Sequence, residues 1–395
     1  MSAPPAGTDA APLRVAIVAG EHSGDQLGAA LIEALRARVP RLECFGVAGP
    51  KMVAAGCEAW AGADSIAVMG LAEVVRHLPR LLKLRAQLRR RFLAARPDVF
   101  IGIDSPEFNL ALAAGLKRAG IRTVQYVSPQ VWAWRQGRVR TIGRDCDLVL
   151  CLLPFESAFY AEHAVRAEFV GHPLADQIPL EVDSAAARAA LGIAADARVV
   201  ALLPGSRMFE VAHLAAPFIK AAAWLSARRP GLEFIAPMAS AALRERFAKE
   251  LAQGAENTRI RLVDGQAQRV LAAADVVLVA SGTATLETLL SGKPMVVAYK
   301  VSWLTYFLVR TLGLVKVPYF SQPNLLAGRR LVPEFEQAAV SGAALGAALL
   351  HELEVLEDPA AAAALRAEFA RIHRELRRGG ATRAAQAVLE CLGPR

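Results

Sequence analysis

An acid one turn into a helix, behind a Ser-Gly-Thr turn, is an arrangement that can hold a nucleotide. Residues 276–294 read VVLVASGTATLETLLSGKP: an apolar strand-like run stops at Ser281-Gly282-Thr283, and a helical pattern carrying Glu287 follows. The first N–H groups of a helix have no partner inside it, and the helix dipole adds partial positive charge. Small residues there let a phosphate reach those amides, and Glu287 can accept hydrogen bonds from the hydroxyls of a ribose. The same residues also fit an ordinary helix start, with Ser281 or Thr283 as cap and Glu287 as the acid of a capping box.

Other stretches carry chemistry at similar places. LLPGSR (202–207) ends an apolar run in a tight Pro204-Gly205-Ser206 turn, and Arg207 can clamp a diphosphate bidentately or simply face solvent. In FIGIDSPEFN (100–109), Asp104 follows a fully apolar strand, where partial burial raises a carboxyl pKa toward the range of a general base. Pro106 equally suits the first turn of a helix capped by Asp104, while Glu107 and Asn109 add two polar groups to the same turn. GEHSGD (20–25) has neither the GxGxxG fingerprint nor the GxSxG elbow, yet brings Glu21, His22, Ser23 and Asp25 to the end of the first strand. VSPQVWAWRQGRVR (127–140) interleaves two tryptophans with Arg135, Arg138 and Arg140, a pattern for stacking a base or lining an acceptor site as well as for plain core contacts.

The segment 68–92, VMGLAEVVRHLPRLLKLRAQLRRRF, holds Arg76, Arg80, Lys83, Arg85, Arg89, Arg90 and Arg91 without an intervening acid, among Leu and Val at helical spacing. It reads as an amphipathic helix for an anionic membrane surface, or as a helix on its own sheet with a solvated basic side. Pro79 predicts two short helical pieces. Asp145-Cys146-Asp147 spells a DxD metal-diphosphate signature but precedes a strand, the wrong end of a sheet for a ligand. No His or Cys spacing suits zinc, and neither a metal nor a cofactor is expected.

Elements that could position these groups are legible as short apolar runs alternating with amphipathic stretches. RVAIVAG (14–20), ECFGVAG (43–49), DVFIGID (98–104), TVQYVSP (123–129), DLVLCLLP (147–154) and AEFVGHP (167–173) read as one strand series. RVVALLPGS (198–206), LEFIAPMAS (232–240), RIRLVDG (259–265), DVVLVASG (275–282) and KPMVVAYK (293–300) read as a second. Continuous apolar strands separated by helices indicate parallel sheets covered on both faces. The expected organisation is an α/β chain: a disordered lead-in (1–13), a doubly wound domain (14–180), a second one (195–340) and a helical tail (341–395). Ligands of such sheets sit outside the carboxyl ends of the strands, where the motifs fall.

The chain has 395 residues, 54% hydrophobic and 21% charged, enough for two cored domains. Its 46 Lys and Arg against 37 Asp and Glu give a net charge of +9, which favours an anionic partner. Five cysteines form no CxxC pair, which suits a reducing cytosol. The N-terminus lacks the features of a signal peptide, and the most apolar window, 303–320, is broken by Arg310, Lys316 and Pro318, so a soluble or peripheral protein is expected.

Taken in order, GEHSGD (20–25), GIDSPEFN (102–109), VSPQVWAWR (127–135), FVGHPLAD (169–176), LLPGSR (202–207), SGTATLE (281–287) and PNLLAG (323–328) resemble the motifs of the lipid-A-disaccharide synthases, over residues from about 14 to 330. The resemblance implies a GT-B fold, two Rossmann-like domains facing a cleft, with the tail helices crossing back to the first domain. It implies an inverting transfer, without metal, of 2,3-diacylglucosamine from UDP-2,3-diacylglucosamine to the 6-hydroxyl of 2,3-diacylglucosamine 1-phosphate (lipid X). By the same resemblance Asp104 matches the candidate base. Arg207 and the amides of Ser281, Gly282 and Thr283 match the diphosphate site, Glu287 the ribose site, and Asn324 a position near the nucleotide. Glu21, His22, Ser23, Asp25 and Gln130 fall to the acceptor cleft. Val68, Met69, Leu71, Arg76, Arg85, Arg89 and Arg90 fall to a contact with the inner leaflet of a Gram-negative inner membrane, giving a cytoplasmic, peripherally attached enzyme. A homodimer is left open and nucleic acid is not a partner. The rivals are another UDP-sugar enzyme on the same architecture, either a soluble-acceptor transferase or a 2-epimerase. A dehydrogenase is disfavoured by the missing GxGxxG, and a secreted solute-binding protein by the missing signal.

Overall fold

A computed structural model describes residues 11–66, 71–133, 136–254, 258–301 and 317–393, and for 71–77 the backbone alone. The chain divides into two compact units, residues 1–173 with 376–395, and residues 174–375.

The first unit is built on β1 (Leu13–Ala19), β2 (Leu42–Ala48), β3 (Cys57–Gly62), β4 (Val99–Ile103), β5 (Arg122–Tyr126), β6 (Leu148–Cys151) and β7 (Ala167–Phe169). They form one sheet in the order β3-β2-β1-β4-β5-β6-β7, with every pairing parallel. Val15, Ile17, Val99, Ile101 and Ile103 are fully buried, because both faces of the sheet are covered by helices. One face packs with Leu31, Ile32 and Leu35 of helix Glu21–Arg36, the other with Leu88 and Phe92 of helix Leu71–Ala95.

The second unit carries β8 (Arg198–Leu203), β9 (Leu232–Met238), β10 (Ile260–Asp264), β11 (Val276–Ala280), β12 (Met295–Tyr299) and β13 (Glu334–Glu336). Their order, β10-β9-β8-β11-β12-β13, is again wholly parallel. Strand order therefore reverses twice, between β1 and β4 and between β8 and β11, and each reversal opens a crevice at the carboxyl ends of the strands.

Every strand read from the sequence is present, and β3 and β13 are additional. Both lie at sheet edges and are half exposed, so they lack the continuous apolar run that marks a central strand. Two expectations are corrected. Leu71–Ala95 is a single 25-residue helix that contains Pro79, not two pieces. The proline removes one amide, and the buried anchors Leu88 and Phe92 with Leu- and Arg-rich turns outweigh that loss. The tail is not one body: helices Gly342–Glu357 and Pro359–Leu376 belong to the second unit, and only helix Gly380–Leu392 belongs to the first. The reason is apolar complementarity. Leu345, Leu349 and Leu353 enter the core of the second unit, whereas Ala384, Ala385, Val388 and Cys391 enter that of the first. Among the described residues no helix is long and apolar enough to cross a membrane.

Candidate active site

At the β8/β11 reversal a cavity of ≈370 Å³ is lined by Ser206, Arg207, Glu210, Gly282, Thr283 and Glu287, among others. The turn after β11 needs Gly282, whose φ of +147° is strained for a residue with a Cβ. The space beside it is open, with no atom within 4 Å of where a Cβ would stand. Helix Thr283–Leu290 begins there without a side-chain cap, so the capping readings of Ser281, Thr283 and Glu287 do not hold. Glu287 is half-buried, and desolvation raises its carboxyl pKa. Ser281 is placed differently from the expectation. Its N–H donates to the Ala298 carbonyl (2.9 Å) and its hydroxyl to the Phe320 carbonyl (3.3 Å), so its amide is not open to an anion. The open amides are those of the first turn that follows, beginning at Gly282.

Arg207 lies on the same cavity, its side chain 60% exposed and 3.4 Å from Glu210. Sequence reading missed Glu210. Its carboxylate accepts hydrogen bonds from the N–H groups of Ser206 (2.8 Å) and Arg207 (3.1 Å), closing the turn after β8. Gly205 makes room for it: a Cβ there would fall 2.4 Å from Glu210 Cβ, at a φ of +122°. The signal was available, since Arg207 and Glu210 stand three apart across a helix start.

Asn324 is a correction. It is fully buried, its amide donates to the Val332 carbonyl (2.9 Å), and its oxygen accepts from Leu331 N (2.6 Å) and Val332 N (2.9 Å). It staples the turn before β13, with its oxygen doubly occupied and the side chain closed off from solvent.

In the first unit, Asp104 and Ser105 both adopt left-handed backbone after β4, with φ of +52° and +41°. Such positions cost about 1–3 kcal/mol each and persist only when their surroundings enforce them. Here the Asp104 N–H donates to the Tyr126 carbonyl (2.9 Å), and the Asp104 carbonyl accepts from Asn109 Nδ2 (2.8 Å) and Gln125 Nε2 (3.1 Å). Both amides are buried. Gln125 went unnoticed in the sequence, although a lone amide inside an apolar strand was a visible signal. Helix Pro106–Lys117 is preceded by Ser105 with no side-chain cap, so Asp104 is not its cap. Asp104 instead lines a ≈330 Å³ cavity with Glu21, Leu78, Leu82, Arg85 and Phe108. Desolvation raises its pKa, and the Ser105 N–H opposes that in part.

The remaining expected residues separate. Glu21, with φ +58°, His22 and Ser23 are exposed at the first turn of helix Glu21–Arg36. Asp25 is 2% exposed and its two oxygens accept from Lys51 N (3.0 Å) and Met52 N (2.9 Å), so it braces the next helix and does not face a cleft. Gln130 is exposed beyond β5, where Val127 holds a φ of +74°. Trp132 is anchored inside the unit, edge-on to Phe155 at 4.7 Å and donating to Glu156 at 3.0 Å, and is no free stacking platform. Burial pushes Glu156 up to about 7. Arg138 pairs with Glu107 at 2.5 Å. Trp134, Arg135, Val68, Met69 and the apolar stretch 302–316 lie outside the described residues, as do the side chains of Leu71 and Arg76. Arg89 and Arg90 are exposed and Arg85 is half-buried. Leu78 and Leu82, one turn apart, are 46% and 44% exposed.

Solved structures share this architecture. The calicheamicin glycosyltransferase CalG4 aligns with a TM-score of 0.56 at 18% identity, covering 96% of this chain and 98% of that one. A UDP-GlcNAc 2-epimerase from Neisseria meningitidis, solved with UDP-GlcNAc, aligns at 0.58 with 11% identity, covering 96% and 99%. At such identities the likeness concerns the fold alone. Two parallel sheets, each with a cavity at its strand reversal, and these neighbours define a GT-B fold. Sequence comparison carries the identification further. Residues 15–388 match the lipid-A-disaccharide synthetase family. The lipid-A-disaccharide synthases of Alkalilimnicola ehrlichii and Pseudomonas aeruginosa are 52% and 53% identical, over 96% of this chain and 99% and 98% of theirs. The chain belongs to the lipid-A-disaccharide synthase family and is a glycosyltransferase of lipid A biosynthesis.

Proposed function

We propose that this enzyme transfers 2,3-diacylglucosamine from UDP-2,3-diacylglucosamine to the 6-hydroxyl of lipid X, with inversion and with Asp104 as general base. The observation that carries this reading is the Asp104 turn: a carboxylate aimed by enforced left-handed backbone into a cavity walled by Leu78, Leu82 and Phe108. An acylated acceptor suits apolar walls, and Arg85 on the same cavity suits its 1-phosphate. The acceptor oxygen attacks the anomeric carbon as its proton passes to Asp104. The bond from that carbon to the diphosphate oxygen breaks, with the electron pair leaving on UDP. The raised Asp104 pKa favours this transfer, because a base works best when its pKa approaches the working pH.

The UDP charge would be met in the second unit by Arg207 and by the amides that open helix Thr283–Leu290, with Glu287 on the ribose hydroxyls. Gly282 supports this assignment by leaving the backbone open to a phosphate. Leu78 and Leu82 together with Arg85, Arg89 and Arg90 support docking on the anionic inner leaflet, where both acylated substrates reside. Charge reversal at these three arginines should weaken sedimentation with phosphatidylglycerol vesicles, and undiminished sedimentation would move the contact elsewhere.

The direct test mixes purified protein with UDP-2,3-diacylglucosamine and lipid X in detergent, with and without divalent ions, and identifies lipids by mass spectrometry. A β-1,6-linked disaccharide 1-phosphate formed together with UDP is the expected product. UDP binding without disaccharide would remove the acceptor assignment and leave the soluble-acceptor transferase.

A further inference from the structure

A second and larger cavity of the 174–375 unit, ≈540 Å³, opens at the amino ends of β8, β11 and β12. It lies at the opposite end of β11 from Gly282, with Asp275 just before the strand and Ser281 just after it. Leu289, Leu290 and Phe369 close its base, each only 1% exposed, and polar groups line the rest. Its size lies within the roughly 300–1,000 Å³ typical of small-molecule sites.

Its charges do not balance. Arg198, Lys293 and Arg366 line it, against Asp275 and Glu181. Asp275 is already committed: its carboxylate accepts from Arg188 Nη2 (2.9 Å) and Val199 N (2.7 Å), and Arg198 stands 3.6 Å away. Glu181 is exposed and joins no ion pair among the described residues. Lys293 has only a hydroxyl, Ser184 Oγ at 3.0 Å, and among the described residues neither it nor Arg366 pairs with a carboxylate. A half-buried lysine that meets only a hydroxyl is costly unless an anion shares the space, and the exposed Arg366 stands on the wall of the same cavity.

We propose that this cavity binds an organic dianion of the phosphate-monoester class, its charged group between Lys293 and Arg366. Burial, with Arg188 and Arg366 nearby, lowers the Lys293 pKa to about 8 even though Asp275 opposes the shift. The site is separate from the nucleotide cavity and does not depend on the transfer reaction proposed above.

Phenyl phosphate is the probe. Calorimetry on the full chain should show binding that Lys293→Met and Arg366→Gln each weaken by about tenfold or more, and that Arg207→Ala leaves unchanged. Arg366 is exposed, so its variant keeps the fold intact. NMR of the lysine side chains should show the Lys293 pKa rising from about 8 as phenyl phosphate saturates. The proposal is overturned if phenyl phosphate does not bind, if Arg207→Ala abolishes binding, or if the Lys293 and Arg366 variants bind like the parent. An unmoved Lys293 pKa at saturation also overturns it. Displacement of phenyl phosphate by phosphatidylglycerol vesicles, lost in both variants, would assign the site to a lipid headgroup and overturn the soluble ligand.

Discussion

The two sheets share one strand order but finish their strands differently. In the second unit the turns at the reversal rely on glycine, with Gly205 at φ +122° and Gly282 at +147°. In the first unit the equivalent turns put side chains into the left-handed region: Glu21, Asp104, Ser105 and, one strand further, Val127. Glycine removes a Cβ so that something can approach the backbone. A strained non-glycine residue spends stability to aim its own side chain. The contrast teaches that one scaffold can leave its main chain open at one reversal and aim a carboxylate into a cavity at the other.

The sharpest way to break this comparison is Asp104→Asn. Turnover should fall by about 10²–10⁴-fold while calorimetric UDP affinity stays near the parent value; retained turnover would strip Asp104 of the base role. Its pH signature has a definite sign. With its folded pKa raised by burial, native Asp104 holds its proton to higher pH than the unfolded chain does. Its contribution to stability is therefore fully present below the ordinary carboxylate range and lost as pH rises through the raised value. Activity moves the opposite way, rising with pH as the base ionises, and Asp104→Asn should remove both slopes.

Asn324→Ala probes the second unit from its structural side. Leaving the N–H groups of Leu331 and Val332 without an acceptor should lower unfolding free energy by about 1–3 kcal/mol. UDP affinity of the folded fraction should be unchanged, and weakened affinity would return Asn324 to the nucleotide. Glu287→Ala should weaken UDP binding by about tenfold without loss of melting temperature, since burial already penalises this carboxylate. Unaltered affinity would leave Glu287 without a role on the ribose. The smallest effect belongs to Ser105→Gly. Removing left-handed strain should raise stability by up to about 1 kcal/mol and slow turnover, because Asp104 would be held less firmly. A lower melting temperature would show that the turn stores no strain.

How far the sequence could be read depended on whether a signal was local. The central strands announced themselves because both faces are buried, whereas edge strands β3 and β13 did not. Arg207, Gly282, Thr283 and Glu287 were found because the turns that carry them follow apolar strands, and the structure gathers them on one cavity. Asp25 looked the same on that criterion, and Asn324 was assigned by the family resemblance, yet their oxygens are occupied by backbone N–H groups 26 and 7 residues away in sequence. Sequence position distinguishes neither case, because a polar side chain after a strand serves a turn and a ligand equally well.

By itself the sequence determined the parallel α/β sheets and the family, since apolar periodicity and turn residues act over a few positions at a time. Only the tertiary structure decided which polar groups remain open. It assigned Glu210 to the Ser206 and Arg207 amides, Gln125 and Asn109 to the Asp104 carbonyl, and the tail helices to different units. The physical reason is that a buried polar group must find a partner, and those partners come from distant parts of the chain brought together by folding.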